Sequence, residues 1–413
     1  MLMKKICIVS TRHISYNPRV LKEADALDAG GYEVVVVTIS NDERQAAFDE
    51  ELMRARKWSL LTVGFRKERR EERRYWLYLS VKQRLFLLLA RISLRWGIAE
   101  RAGEKAFDGL VRLAKAERAD LYIAHHAEAL GAACSAAGSN QARFGFDAED
   151  FHTGMSETGG RQDRLIGWLE AKYLPLCDYL TAASKGIAEA YRDKYGIKMP
   201  QVILNVFPLE ALPVRAPGNP VRFYWYSQVI GPNRGIELLL QAAKRVTLPF
   251  EIHLRGKLSS EEYRNQLKEQ CGNSGLWERV FLHEPILAAR LISDGNQFDV
   301  GLALESNVSV NRNICVTNKV FSYLMSRLFI IGTDTYGQKD IFNHFAGAVR
   351  VCRMNDPADL AEAMRSCIAG EISLLEGKRA AGRAVEQSFN WDLEAAKLRL
   401  LVDNIINTKQ LSI

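Results

Sequence analysis

Asn313-Ile-Cys-Val-Thr-Asn-Lys-Val-Phe-Ser-Tyr-Leu-Met-Ser-Arg-Leu-Phe-Ile-Ile-Gly-Thr-Asp-Thr-Tyr-Gly337 reads as a loop, a short helix and a buried strand in immediate succession. Asn318 and Ser322 lie four residues apart on one helical face, and Lys319 sits in the first turn, where backbone N–H groups lack intrahelical partners. A helix N-terminus carries roughly half a positive charge, and a lysine beside it adds a full one with no fixed direction of approach. This combination suits a phosphate. The alternative is an ordinary surface lysine.

Outward from this stretch, the chain alternates strand and helix patterns. Residues 4–10 and 33–39 are β-branched runs separated by Val20, Ala24 and Leu27 at helical spacing and then Gly30-Gly31. That order opens a parallel, doubly wound sheet covered on both faces. The loop Thr11 to Arg19 lacks Gly-x-Gly-x-x-Gly, so no dinucleotide cofactor is expected. Arg12, His13 and Arg19 are placed at the carboxyl end of the first strand, facing a cleft; the alternative for Arg19 is an ion pair with a helix-end carboxylate. A later strand ends in His125-His126, which point to opposite faces and have no third ligand at metal-binding spacing, so no metal is expected. Another ends in Asp147-Ala-Glu-Asp150, acidic groups suited to sugar hydroxyls or to proton uptake, with helix N-capping as the alternative for Asp150. Pro208, Pro213, Pro217 and Pro220 mark an extended linker. The reading is an α/β chain with domains at 1–205 and 221–390, a linker at 206–220 and a terminal helix at 391–413.

Several segments resemble retaining family 4 glycosyltransferases, which have the GT-B fold of two Rossmann-like, doubly wound parallel-sheet domains facing a cleft. The central stretch is similar to the family's Pro-Asn-Lys-x-(Phe/Tyr)-Glu-Tyr segment through Asn318, Lys319, Phe321, Tyr323, Leu324, Ile330, Ile331 and Asp334. It departs at Thr317, Ser322, Arg327 and Phe329. Asn17-Pro-Arg-Val resembles the family's first loop, Ser227 to Gly235 its diphosphate loop, Glu251 to Gly256 a strand ending in glycine, and Phe389-Asn-Trp391 the motif before the last helix. The resemblance implies a nucleoside-diphosphate sugar as donor substrate, with no tightly bound cofactor, held by Gln228, Arg234, Gly256, Asn318, Lys319 and Ser322. Asp147, Asp150, Arg234 and Lys319 are the expected catalytic set. The family's two glutamates fall at Ile314 and Ser322, and its first diphosphate arginine at Gln228, so Glu305 is the nearest substitute carboxylate. An epimerase or hydrolase of the same fold, or an inactive sugar-nucleotide-binding relative, is the alternative.

The chain of 413 residues, with 47% hydrophobic and 25% charged residues, is that of a globular protein with two cores. Its seven scattered cysteines suggest a reducing compartment and a cytoplasmic location. The net charge of +7 is concentrated in residues 54–105, which hold fifteen Lys/Arg against five Asp/Glu. Leu and Trp interleave these charges instead of a stacking platform, which argues against nucleic acid. Over 79–96, Leu85, Leu89, Ile92 and Trp96 are expected on one helical stripe with Arg84, Arg91 and Arg95 on another. Such a helix is too short to span a bilayer and suits its anionic surface. The expected acceptor is therefore a glycan or a lipid-linked one in surface-polysaccharide assembly, reached at the inner face of the plasma membrane.

Overall fold

The computed structural model describes residues 3–156 and 159–407. The chain divides into two compact units, one of Met1–Ala183, Ile187–Ile203 and Ala395–Ile413, the other of Ser184–Gly186 and Leu204–Glu394.

In the first unit seven strands form one parallel sheet: β1 (Lys5–Val9), β2 (Glu33–Ser40), β3 (Ser59–Gly64), β4 (Leu121–His125), β5 (Arg143–Ala148), β6 (Tyr179–Ala182) and β7 (Gln201–Val202). Their order is β3-β2-β1-β4-β5-β6-β7. The second unit has β8 (Val221–Ile230), β9 (Phe250–Leu258), β10 (Val280–His283), β11 (Val300–Ala303), β12 (Phe329–Thr333) and β13 (Val349–Cys352), in the order β10-β9-β8-β11-β12-β13. Both sheets are Rossmann-like: the first strand lies inside the sheet and the chain winds out to one edge, then to the other. Strands such as β1 and β12 are buried almost end to end because helices cover both faces. The second core gathers Phe223, Trp225, Ile252, Leu254, Leu302 and Ile331. In such sheets ligands gather at the carboxyl ends of the strands where the winding reverses, here β1 beside β4 and β8 beside β11.

The terminal helix covers Trp391–Asn407, and the remaining expected residues, 408–413, lie outside the described ones. From Ala395 onward this helix belongs to the first unit, where Asp403 accepts a hydrogen bond from the Tyr32 hydroxyl. The single helix expected over 79–96 is not formed. A helix spans Arg70–Leu89, after which Ile92 and Ser93 bond back to Leu89 in a turn, and Trp96 and Gly97 take positive φ values of 57° and 78°. A helix cannot continue through two such residues.

Candidate functional site

The first unit gathers its polar groups at the carboxyl ends of β4, β5 and β6. His125 and Asp147 are register partners on β4 and β5, and Thr181 on β6 is the next partner of Asp147. The helix Pro18–Ala29 supplies the rest. Asn17 caps it by accepting from the Val20 N–H, and Pro18 occupies its first position without wasting a donor. Arg19 and Glu23, four residues apart, then share the face turned to the sheet. Both oxygens of Asp147 accept from the Arg19 guanidinium, one at 2.7 Å, and Thr181 adds a third bond. His125 lies between Glu23 at 2.6 Å and Glu149 at 3.1 Å, and Asn17 donates to Glu149 at 2.7 Å.

These groups set one another's charge. Burial alone would lower the His125 pKa, but the Glu23 charge and hydrogen bonds to Glu149 and Glu23 outweigh it and raise the ring to about 10. For Asp147 burial acts upward and the Arg19 charge downward, and the carboxyl ends below its usual range. Glu149 is also held low, burial being outweighed by the His125 hydrogen bond. Glu23, His125 and Asp147 bring one oxygen or nitrogen each within 4.8 Å of one another. Yet Arg19 takes both Asp147 oxygens and the His125 ring uses both nitrogens, so this is an ion-pair network and not an open metal centre.

Asp147 as a contact to sugar is therefore corrected: it is buried, and its acceptor capacity is spent on Arg19 and Thr181. Arg19 follows the ion-pair alternative, its partner being a strand-end carboxylate instead of a helix-end one. His13 is likewise withdrawn, bonded to Asp49 at 2.6 Å and to Asn41, while Arg12 is exposed. Asp150 is half-buried, and Phe151 stands at the cap position of the short turn His152–Gly154.

In the second unit the groups collect where β8 and β11 end. Ser227 and Gln228 lie in a bulge of β8 between Tyr226 and Val229. Gly256 permits that bulge, since its φ is 151° and a Cβ there would come within 2.4 Å of the Ser227 carbonyl. Gly256 therefore has a packing role, holding β9 close to that bulge. Arg234 reaches back to donate to Ser227 Oγ at 2.8 Å, and Gln228 is exposed. Gly235 begins the helix Ile236–Ala243 with φ at 82°, so close to β11 that a Cβ would meet the Leu304 carbonyl at 2.5 Å. Just past Leu304, Glu305 receives Lys319 at 2.5 Å and Arg312 at 3.1 Å, and its backbone is tied to Thr333. Burial would raise the Glu305 carboxyl, but the Lys319 charge and hydrogen bond hold it low. Lys319 also lies 5.6 Å from the Trp225 ring. A cavity of about 360 Å³ opens here, lined by Asn233, Gly235, Glu237, Glu305, Asn307 and Asn355 among others.

Asn318 is exposed at the start of the helix Asn318–Met325 and accepts from Asn205 at 3.2 Å. Ser322 is turned inward instead: it is buried, donates to the Lys319 carbonyl and accepts from the Tyr226 hydroxyl. As a ribose contact it is corrected, because a one-carbon side chain reaches its own helix and the facing strand first.

Residues 16–205 match the family profile described as "Glycosyl transferase 4-like domain". No curated protein matches the sequence. Among solved structures, HepE of Anabaena in complex with UDP is 13% identical with a TM-score of 0.68, covering 97% of this chain and 100% of its own. A glycosyltransferase from Rickettsia africae is 13% identical with a TM-score of 0.69, covering 99% and 100%. A putative UDP-N-acetylglucosamine 2-epimerase from Listeria monocytogenes is 12% identical with a TM-score of 0.57, covering 99% and 98%. At these identities the likeness is one of fold, and the fold is GT-B.

Within the first unit, two groups escaped sequence reasoning. His126, just beyond β4, has φ at 69° and a buried Nδ1 without a hydrogen-bond partner. His152 has a buried, unpartnered Nε2, and the two ring centroids are 6.1 Å apart. Backbone strain and unmet hydrogen-bonding capacity collect at functional sites more than elsewhere. The adjacency of His125 and His126 was visible, but not which of them the network would consume.

Proposed function

We propose that the protein transfers a sugar, with retention, from a nucleoside-diphosphate sugar to a glycan or lipid-linked acceptor in surface-polysaccharide assembly. The observation that carries the donor side is Glu305 in the wall of the cavity, holding Lys319 and Arg312 as its partners; Arg234, next to the lining residues Asn233 and Gly235, is the further cation of this region. Negative charge grows on the diphosphate as it leaves, and preorganised cations and helix N–H groups stabilise that charge. Lys319 and the start of the helix Asn318–Met325 supply them, with Arg234 one strand away. Glu305, held ionised in the cavity wall, reaches donor hydroxyls by exchanging Lys319 or Arg312 for them; neither Ile314 nor Ser322 fills that role. The family resemblance implies that the diphosphate itself receives the acceptor proton, so no protein nucleophile is assigned. HepE, of like fold, is seen with UDP, which favours a uridine nucleotide.

The acceptor side is read from the helix Arg70–Leu89. Its inner face buries Leu79 and pairs Lys82 with Asp108, while Leu77, Val81, Leu85 and Leu88 form an exposed stripe on the other side. Apolar residues on both faces of a charged surface helix suit the boundary of a bilayer. Part of the expected basic patch is neutralised internally, since Arg66 pairs with Glu72 and Arg69 with Glu43. No helix among the described residues is long and apolar enough to cross a membrane. The exposed apolar stripe supports a position peripheral to the inner membrane face, and the scattered free cysteines support the cytoplasmic side of it.

A panel of sugar nucleotides, with and without polyprenyl-linked glycan acceptors, tests the reaction. Sugar transfer with loss of nucleoside diphosphate is expected. Epimer formation without acceptor would instead favour the second enzyme class, and a rise in melting temperature without turnover would favour an inactive binder.

A further inference from the structure

The turn that interrupts the basic segment builds a hollow of its own. Ala90, Arg91, Ile92, Ser93, Leu94 and Arg95 line one side, and Arg164 and Trp168 of the helix Arg161–Tyr173 line the other, of an open depression of about 510 Å³. Arg164 is fixed by donating to the Ala90 carbonyl at 2.8 Å, and the turn is held by the Ser93 hydroxyl accepting from the Arg95 N–H. Among the described residues none of Arg91, Arg95 and Arg164 has a carboxylate partner, although Arg66, Arg69, Lys82 and Arg101 of the same segment all do. Arg70, Arg73, Arg74 and Arg84 of the segment are also without a carboxylate among the described residues, but Arg91, Arg95 and Arg164 are the ones that line a common space. On its rim, Ile92 is 87% exposed and Trp96 is 84% exposed.

Three guanidiniums around one hollow match more than one negative charge, and their planar forks bind phosphate oxygens two at a time. Free solutes would not explain the exposed isoleucine and tryptophan beside it, which suit the boundary between headgroups and acyl chains. We infer that this hollow is a binding site for the doubly charged phosphate of a membrane lipid headgroup, a phosphomonoester or diphosphate, with Ile92 and Trp96 entering the bilayer around it. The inference rests on the membrane reading above and adds selectivity to it. General attraction scales with surface charge alone. The hollow instead distinguishes phosphate species at equal charge.

The full chain is sedimented with phosphatidylcholine vesicles containing phosphatidate or phosphatidylglycerol, adjusted to equal surface potential. About ten-fold tighter binding to phosphatidate is expected, a difference within reach of one charge-assisted contact. Arg91→Gln/Arg95→Gln, two exposed side chains whose loss leaves the Arg164 bond in place, should abolish that preference and keep the salt-sensitive binding common to both lipids. Ile92→Ser/Trp96→Ser should weaken binding to phosphatidate vesicles without restoring equality. Equal binding of the unaltered protein to both anionic vesicles overturns the hollow and leaves the membrane reading standing. Binding to neither overturns both. A preference that survives the double arginine variant places phosphate selectivity elsewhere and overturns the assignment. Calorimetry with inorganic phosphate separates the sources: binding as tight as to phosphatidate vesicles would make the ligand a free anion, against the inference.

Discussion

The two units place charged clusters at equivalent positions, yet the clusters are built differently. Around Asp147 each acidic group has a partner inside the unit, and Arg19, Glu23, His125 and Asp147 are all buried. Around Glu305 the cations Lys319 and Arg312 share one carboxylate beside an open cavity. A closed network stabilises and positions its surroundings, whereas an open one can exchange an internal partner for a ligand. The same residue types, aspartate and arginine against glutamate and lysine, thus acquire different roles from the number of partners the fold gives each.

The largest effect expected is on the closed side. Asp147→Ala strands Arg19 in the interior, and breaking a buried ion pair from one side costs about 3–5 kcal/mol. Urea titration should show that loss. A variant with unchanged stability and lost turnover would return Asp147 to the chemistry and erase the distinction.

Lys319→Ala should do the reverse. Glu305 keeps Arg312, so the fold is little disturbed, while a charge-assisted phosphate contact of about 1.5–3 kcal/mol is removed. Calorimetric titration with a sugar nucleotide should register a weaker dissociation constant; an unchanged one in a folded variant rejects Lys319 as the phosphate ligand. Arg234→Ala is expected to weaken binding less, by about 1 kcal/mol, since its guanidinium is held on Ser227 and must turn to reach a phosphate. Equal or greater loss than for Lys319→Ala would make Arg234 the principal clamp.

The two sheets were legible because continuous β-branched runs alternating with helical spacing admit few other arrangements, and the place of Lys319 in the first turn of a helix was legible because a polar loop runs directly into an apolar helical pattern there. The Asp147 network was not. Its members, Arg19, Glu23, His125, Asp147 and Thr181, come from four elements, and only the register of β4, β5 and β6 makes them neighbours. Ser322 was misplaced for a related reason: helical spacing gives a face, but not whether a tyrosine on the next strand already occupies it. The stripe over 79–96 failed locally, because the periodicity of Leu85, Leu89, Ile92 and Trp96 carries no sign of the turn that ends the helix at Leu89.

The remaining effect concerns pH and tests whether the closed network is charged as its geometry implies. His125 is raised to about 10 in the folded chain from an ordinary value of 6.5. A group whose folded pKa is raised contributes stability that is complete below the unfolded value and is lost as pH climbs toward the folded one. Between pH 7 and 8 the folded chain keeps this proton and the unfolded chain does not, so the contribution falls by at most about 1.4 kcal/mol per pH unit. Lys22 works against it, because burial and the Arg19 charge push its ammonium down to about 7 and stability from that source rises with pH. Both proteins in a comparison with His125→Gln carry Lys22, so the difference between them isolates the imidazole. The stability advantage of the unaltered protein over His125→Gln should narrow as pH rises from 7 to 8, read by urea titration at each pH. A difference that stays constant would mean that His125 is neutral in the folded chain, and that Asp147 and Glu149 are balanced by Arg19 alone.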